Sequence, residues 1–158
     1  MSRKWYADGL HFSCQQCGKC CTGEPGYVWV TKEELREIAE FLKISEKQLR
    51  AKYTHRAGWR ISLTESANGD CAFLADEKCT IYPVRPAQYR NWPFWNLNLE
   101  NQSAWNRAAQ RCCGINKGEF YSFEKIEEER RLTTKNTKVK KRNPRWAPQS
   151  RRNAIGDP

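Results

Sequence analysis

The sequence predicts a small, irregular α+β domain of short strands and several helices, followed by a disordered basic tail. Three observations lead there. Only 39% of the 158 residues are apolar and mean hydropathy is −0.91, so the chain is short of material for a large core. Strand-like and helix-like stretches alternate in short pieces broken by turn residues. The net charge of +10 is unevenly placed: residues 133–158 carry +7 and residues 1–132 only +3. This divides the chain into a nearly balanced body, 1–132, and a tail, 133–158, too poor in apolar residues to offset the entropy of ordering.

The elements of the body follow from local signals. Tyr27–Val30 is rich in β-branched and aromatic residues and reads as a strand. Thr31 with Glu34 forms a capping box, and Leu35, Ile38, Ala39 and Leu42 recur at helical spacing, predicting a helix over 32–43. Ser45 with Gln48 repeats the cap and starts a second helix, through about Tyr53. Trp59–Leu63 alternates like a half-buried strand, and Asn68-Gly69 marks a turn. Cys71–Leu74 and Cys79–Tyr82 read as two short strands. Arg85–Arg90 has room for one helical turn between prolines. Ser103 is expected to cap a helix to about Arg111. Ser122 is expected to cap another through Leu132, with Phe123, Ile126 and Leu132 near one face.

No stretch of eighteen apolar residues occurs, and Met1–Leu10 has no apolar core, so neither a membrane span nor a secretory signal is expected. The resulting expectation is a cytoplasmic chain with reduced thiols. In that setting eight cysteines against two histidines is an unusual balance. Cys14-Gln-Gln-Cys17-Gly-Lys-Cys20-Cys21 places four thiols within eight residues, at spacings that let a tight turn aim them at one point. Such a knuckle grips zinc or an iron–sulfur cluster. Buried apolar cysteines or a disulfide framework are the competing readings. The polar neighbours disfavour the first, and the missing signal peptide the second. Cys71, Cys79, Cys112 and Cys113 follow, each able to serve in a core, yet together pointing to the same metal region.

With only His11 and His55 available, such a site is nearly all thiolate, which suits zinc or iron–sulfur and not a two-histidine oxygenase iron. The domain is thus expected to be metal-stabilised. His55 reads as a surface residue, and His11, near Cys14, as a candidate neighbour of the ligands. Lys19, Arg85, Arg90, Arg111 and Lys117 are placed to offset thiolate charge, Arg85 and Arg90 above all.

The ordered motifs Phe12-x-Cys14-x-x-Cys17-Gly18-x-Cys20-Cys21-x-Gly23, Cys71-x-Phe73-Leu74, Cys79-x-Ile81-Tyr82-x-x-Arg85-Pro86, Arg90-x-Trp92-Pro93-Phe94-Trp95 and Cys112-x-Gly114-Ile115-x-x-Gly118 cover about residues 5–130. This set resembles the YkgJ-type CxxCxxCC cysteine-cluster family of zinc- or iron-chelating proteins. The resemblance implies that Cys14, Cys17, Cys20, Cys21, Cys71, Cys79 and Cys112 are metal ligands, with zinc or an iron–sulfur cluster as cofactor. It also implies an alternative, a redox or methyltransferase-like group-transfer enzyme, since a flagellin lysine N-methylase shares the cysteine set. Two positions depart from the family pattern: Tyr89 stands where a cysteine is usual, and Cys113 where a proline is usual. Tyr89 could ligate iron as a phenolate, and Cys113 could replace the lost thiolate.

The sequence contains no phosphate-binding Gly-x-x-x-x-Gly-Lys-Ser/Thr loop, no Gly-x-Gly-x-x-Gly, Gly-x-Ser-x-Gly or His-Glu-x-x-His, and no Cys-x-x-x-Cys-x-x-Cys. Trp92 and Trp95 read as core. The basic tail, with Trp146 beside Arg145, supports a third reading, an RNA-associated factor or a binder of an acidic partner, through counterion release.

Overall fold

The computed structural model describes residues 2–22 and 26–136. The order is β1 (Leu10–Phe12), a 3-10 turn (Lys19–Cys21), α1 (Lys32–Leu42), α2 (Glu46–Tyr53), β2 (Thr54–Ala57), β3 (Arg60–Leu63), β4 (Leu74–Ala75), β5 (Lys78–Cys79), a 3-10 turn (Tyr82–Val84), α3 (Ala87–Arg90), α4 (Asn96–Leu99), α5 (Gln102–Arg111), β6 (Ile115–Tyr121) and α6 (Phe123–Asn136). The strands pair antiparallel in three two-stranded sheets, β1-β6, β2-β3 and β4-β5. This is the α+β architecture of short strands and several helices that the sequence predicts.

Both expected capping boxes form. The Thr31 hydroxyl accepts from Glu34 N at 3.1 Å while the Glu34 carboxylate accepts from Thr31 N at 2.8 Å; Ser45 and Gln48 do the same for α2. Each box contributes about 1 kcal/mol. Other expectations need correction. Tyr27–Val30 is not a ladder strand; it is an extended segment with one bridge, Trp29 to Ser62, flanked by bonds from Leu63 N to Val28 O and from Val30 N to Ile61 O. The two strands expected over 71–74 and 79–82 shrink to two residues each, because Asp76 and Glu77 turn the chain at φ 47° and 60°. Asn101, not Ser103, caps α5, accepting from Ala104 N at 2.9 Å. Leu132 is exposed on α6, whereas Ile126 is fully buried. Helix α6 continues four residues past the expected boundary, to Asn136. The tail beyond it, Trp146 and Arg145 included, lies outside the described residues.

Two apolar clusters build the core. One gathers Val28, Leu35, Ile38, Leu49, Leu63, Phe73, Ile81 and Tyr89 around α1, α2 and β3. The other gathers Tyr6, Phe12, Trp92, Phe94, Trp95, Trp105 and Ile126 around β1, α5 and α6. Trp92 and Trp95 are buried within the second, as expected of core aromatics, and meet edge-to-face at 5.0 Å. Cys21 and Cys71 belong to the first cluster, and Cys112 packs against the second. The cysteines therefore lie where the two halves of the core face each other.

The N-terminal segment is tied to the last helix through one carboxylate. Glu127 accepts from Lys4 Nζ at 2.8 Å, Tyr6 OH at 2.7 Å and Arg130 at 2.8 and 3.0 Å. Arg130 first, then Lys4 and Tyr6, hold its carboxyl down to about 2, against the opposing effect of burial. A carboxylate depressed in the folded state stabilises it above the ordinary carboxylate pKa, and that stability drains as pH falls through the depressed value. Lys4 is 42% exposed, so screening trims the contribution to about 1–2 kcal/mol. Glu127→Gln should therefore cost this amount at pH 7, and the gap to wild type should close between pH 5 and pH 2. Urea unfolding across that range checks it; a gap constant with pH would refute it.

Candidate metal centre

Sharp backbone turns position the knuckle. Gly18 adopts φ 69°, which favours glycine, and starts the 3-10 turn carrying Cys20 and Cys21. A Cβ at Gly18 would stand 2.1 Å from the Glu77 carbonyl oxygen, so only glycine lets the β4-β5 turn press this close. That contact brings Cys79, on β5, up to the second half of the knuckle. Cys71 arrives by a backbone bond, its N–H donating to Cys21 O at 2.8 Å.

Four thiols meet there. Cys20 and Cys21 sulfurs are 3.9 Å apart, and Cys21 also shares hydrogen bonds with Cys71 and Cys79. The hydrogen bonds to Cys20, Cys71 and Cys79, reinforced by burial, push the Cys21 thiol far up. Two of its partners respond in the opposite direction. The bond with Cys21 lowers Cys20, and the same bond, helped by a backbone hydrogen bond from Ile81 and then by the Arg85 guanidinium, brings Cys79 down to about 7 against the effect of burial.

The other half of the knuckle faces elsewhere. Cys17 is raised by burial and by the neighbouring Cys113 and Cys112. Cys14 shares a hydrogen bond with Tyr82, whose phenol is raised by it and by burial. Both halves open on a cavity of about 60 Å³, lined by Cys14, Cys17, Cys20, Cys21, Cys71, Cys79 and Cys112. All seven sequence-predicted ligands thus come together around one space.

The cavity's charge is one-sided. Lys19, Arg85, Arg90 and Arg111 line it, and among the described residues no carboxylate does. Arg85 lies 3.9 Å over the Tyr82 ring and donates to Tyr82 O at 2.7 Å. Arg111 donates to Thr22 O at 3.4 Å. Arg90 faces Glu34 at 3.9 Å. Glu34 itself is buried, and its Oε1 accepts from Ala87 N at 2.7 Å, so one carboxylate caps α1 and holds the start of α3. Gln88 adds bonds to Trp29 N and Tyr27 O at 3.1 Å each. Between these anchors sits Tyr89, buried, lining the cavity and packed in the cluster of Cys21 and Cys71.

Some expected participants are elsewhere. The His11 ring meets Gly118 O at 3.0 Å and Phe120 at 5.3 Å, exposed on the β1-β6 ribbon and outside the cavity lining. Strand pairing alternates side chains across a sheet, and His11 falls on the face opposite Phe12. Lys117, also expected near the thiols, lies exposed in β6 and does not line the cavity. His55 is exposed on β2, as expected. Tyr82 was not anticipated as a thiol partner, although it follows Cys79 by three residues.

The donor chemistry fits a metal. Tetrahedral zinc with Zn–S near 2.3 Å sets its sulfurs about 3.8 Å apart, close to the Cys20–Cys21 separation of 3.9 Å. The guanidinium and ammonium groups of Arg85, Arg111 and Lys19 on the cavity wall suit the negative charge of a thiolate centre. Among the described residues, however, no group of three or more His, Cys, Asp or Glu side chains is arranged to hold a metal ion; the sulfurs are in hydrogen-bond contact. Closing a shell requires their protons to leave.

The family model described as "CxxCxxCC: Putative zinc- or iron-chelating domain" matches residues 13–113. The chain belongs to the CxxCxxCC family. The matched span begins at the knuckle and ends at Cys113, enclosing every cysteine, so metal chelation is the family-level function. The chain is also similar to the uncharacterised protein MJ0661 of Methanocaldococcus jannaschii, 34% identical over 91 residues. That match covers 56% of this chain and 48% of the relative, so the chain spans about half the length of the curated relative it matches. No solved structure matches with significance. No helix among the described residues is long and apolar enough to cross a membrane.

Proposed function

We propose that this CxxCxxCC protein binds zinc or an iron–sulfur cluster through clustered cysteine thiolates, and that the bound group holds the domain together. The observation that carries the reading is the meeting of Cys20, Cys21, Cys71 and Cys79, from distant parts of the chain, in a pocket walled by cations. Thiolates of this kind select zinc or iron over hard cations. The group would supply a rigid crosslink between the knuckle, the β4-β5 turn and the Cys71 segment. An iron–sulfur cluster would also supply electron transfer. The residues of the chain do the rest: Arg85 and Arg90 offset charge, Tyr89 and Ile81 exclude water, and Gly18 sets the turn.

The seven ligand candidates are Cys14, Cys17, Cys20, Cys21, Cys71, Cys79 and Cys112. Elemental analysis with a visible spectrum on anaerobically purified protein tests the reading. Stoichiometric zinc without colour, or iron with a broad absorption near ~400 nm, is the expected result, and each identifies its group. Protein that is free of both metals as purified and that takes up neither would overturn the proposal.

A further inference from the structure

Gly18 divides the cysteines into two sets of four. On its C-terminal side, Cys20 and Cys21 join Cys71 and Cys79. On its N-terminal side, Cys17 has Cys113 and Cys112 at the end of α5 as neighbours, and Cys14 shares a hydrogen bond with Tyr82. Strand pairing dictates this second grouping. Phe12 pairs with Ile115 across β1-β6, and Ser13 N donates to Gly114 O at 3.1 Å. Cys14 follows Ser13 directly, and Cys113 precedes Gly114 in the turn that Ile115 N closes on Cys112 O at 3.2 Å. Close contact enforces the register: a Cβ on Gly114 would lie 2.1 Å from Ser13 O, and one on Gly118 2.0 Å from the Ser13 hydroxyl, which also accepts from Glu119 N at 2.9 Å. Cys112 opens on the cavity, and Cys17 has the Cys113 thiol as a side-chain partner.

Tyr89 and Cys113, the two departures from the family pattern, fall on opposite sides of this divide. Tyr89 packs with Cys21 and Cys71. Cys113 therefore does not stand in for a thiolate lost at Tyr89; it adds a fourth thiol to the other set.

Building on the metal-binding reading, we infer that the chain carries two separate thiolate sites, and that Cys113 completes the second, which takes a thiophilic divalent ion such as Zn²⁺ with Cys14, Cys17 and Cys112. Four sulfurs from two paired loops satisfy a tetrahedral ion without help from the first set. Cys14 and Cys113 are exposed, so this site is open to exchange, whereas Cys21 and Cys71 are buried.

The test is metal content of the full chain, reduced, saturated with Zn²⁺ and desalted. Cys113→Ala and Cys14→Ala, both at exposed positions, should each lose about one ion per chain with an unchanged circular dichroism spectrum, while Cys79→Ser loses a different ion. In wild type, Zn²⁺ should also protect Cys113 from alkylation. If Cys113→Ala retains the wild-type zinc content, the second site is wrong, and the first stands provided Cys79→Ser lowers it. If Cys113→Ala and Cys79→Ser each abolish all binding, one site draws on both sets and the inference falls. Wild-type protein that retains no zinc and carries no iron would overturn the metal reading itself.

Discussion

Stripping the metal, or replacing Cys71 by Ser, should lower the melting temperature of the zinc-loaded protein by at least about 6 °C. With 39% of its residues apolar, the chain folds as two modest clusters that meet along the thiol-lined cavity. A structural zinc adds on the order of 10 kcal/mol to folding. Cys71 is 3% exposed, and its N–H holds Cys21 O at 2.8 Å, so its sulfur is fixed by backbone contacts. Loss of one of four thiolates should cost about 3–5 kcal/mol, and for a domain of this length each kilocalorie is worth about 2–4 °C. Chelation followed by calorimetry and far-UV circular dichroism measures it. A melting temperature indifferent to both treatments would mean that the clusters hold without a crosslink.

Gly18→Ala should be nearly as damaging, with no sulfur removed. At φ 69° an L-residue pays about 1–2 kcal/mol. Far worse, its Cβ would collide with Glu77 O at 2.1 Å and Glu77 C at 2.7 Å, which are backbone atoms and cannot swing aside. Relief requires the β4-β5 turn to retreat, carrying Cys79 from Cys20 and Cys21. Both metal content and stability should fall, the latter by about 3 kcal/mol or more, toward the upper range for single substitutions. Gly58→Ala is the control. Its φ is 64°, yet a Cβ there meets nothing within 4 Å, so it should cost only about 1 kcal/mol and keep its metal. Equal behaviour of the two variants would show that the close approach at Gly18 is dispensable.

What could be read from the sequence was local. Thr31 with Glu34 and Ser45 with Gln48 are complete signals within four residues, and both helices form where those signals place them. The gathering of the seven cysteines was legible because thiols at two-residue gaps have few other uses in a reduced chain. Pairing across long stretches was not legible. β6 is almost wholly exposed, with a polar start at Asn116, Lys117 and Glu119, and nothing in Leu10–Phe12 announces a partner more than a hundred residues away. The turn at Asp76 and Glu77 puts two non-glycine residues at positive φ, where turn statistics would ask for Asn-Gly. Asn101 and Ser103 are both good caps, and only tertiary packing chose Asn101. The division of the thiols at Gly18 follows from these unreadable pairings, so no inspection of spacing could have found it.

Glu34 joins the first turn of α1 to the first turn of α3 through hydrogen bonds to Thr31 N and Ala87 N, with Arg90 alongside. Neither helix start can fray without breaking the other's bond. The Thr31 amide at the start of α1 therefore becomes a remote gauge of α3: slow deuterium uptake at Thr31 and at Ala87 would rise and fall as one, giving a view of the thiol chamber from a surface that never touches sulfur.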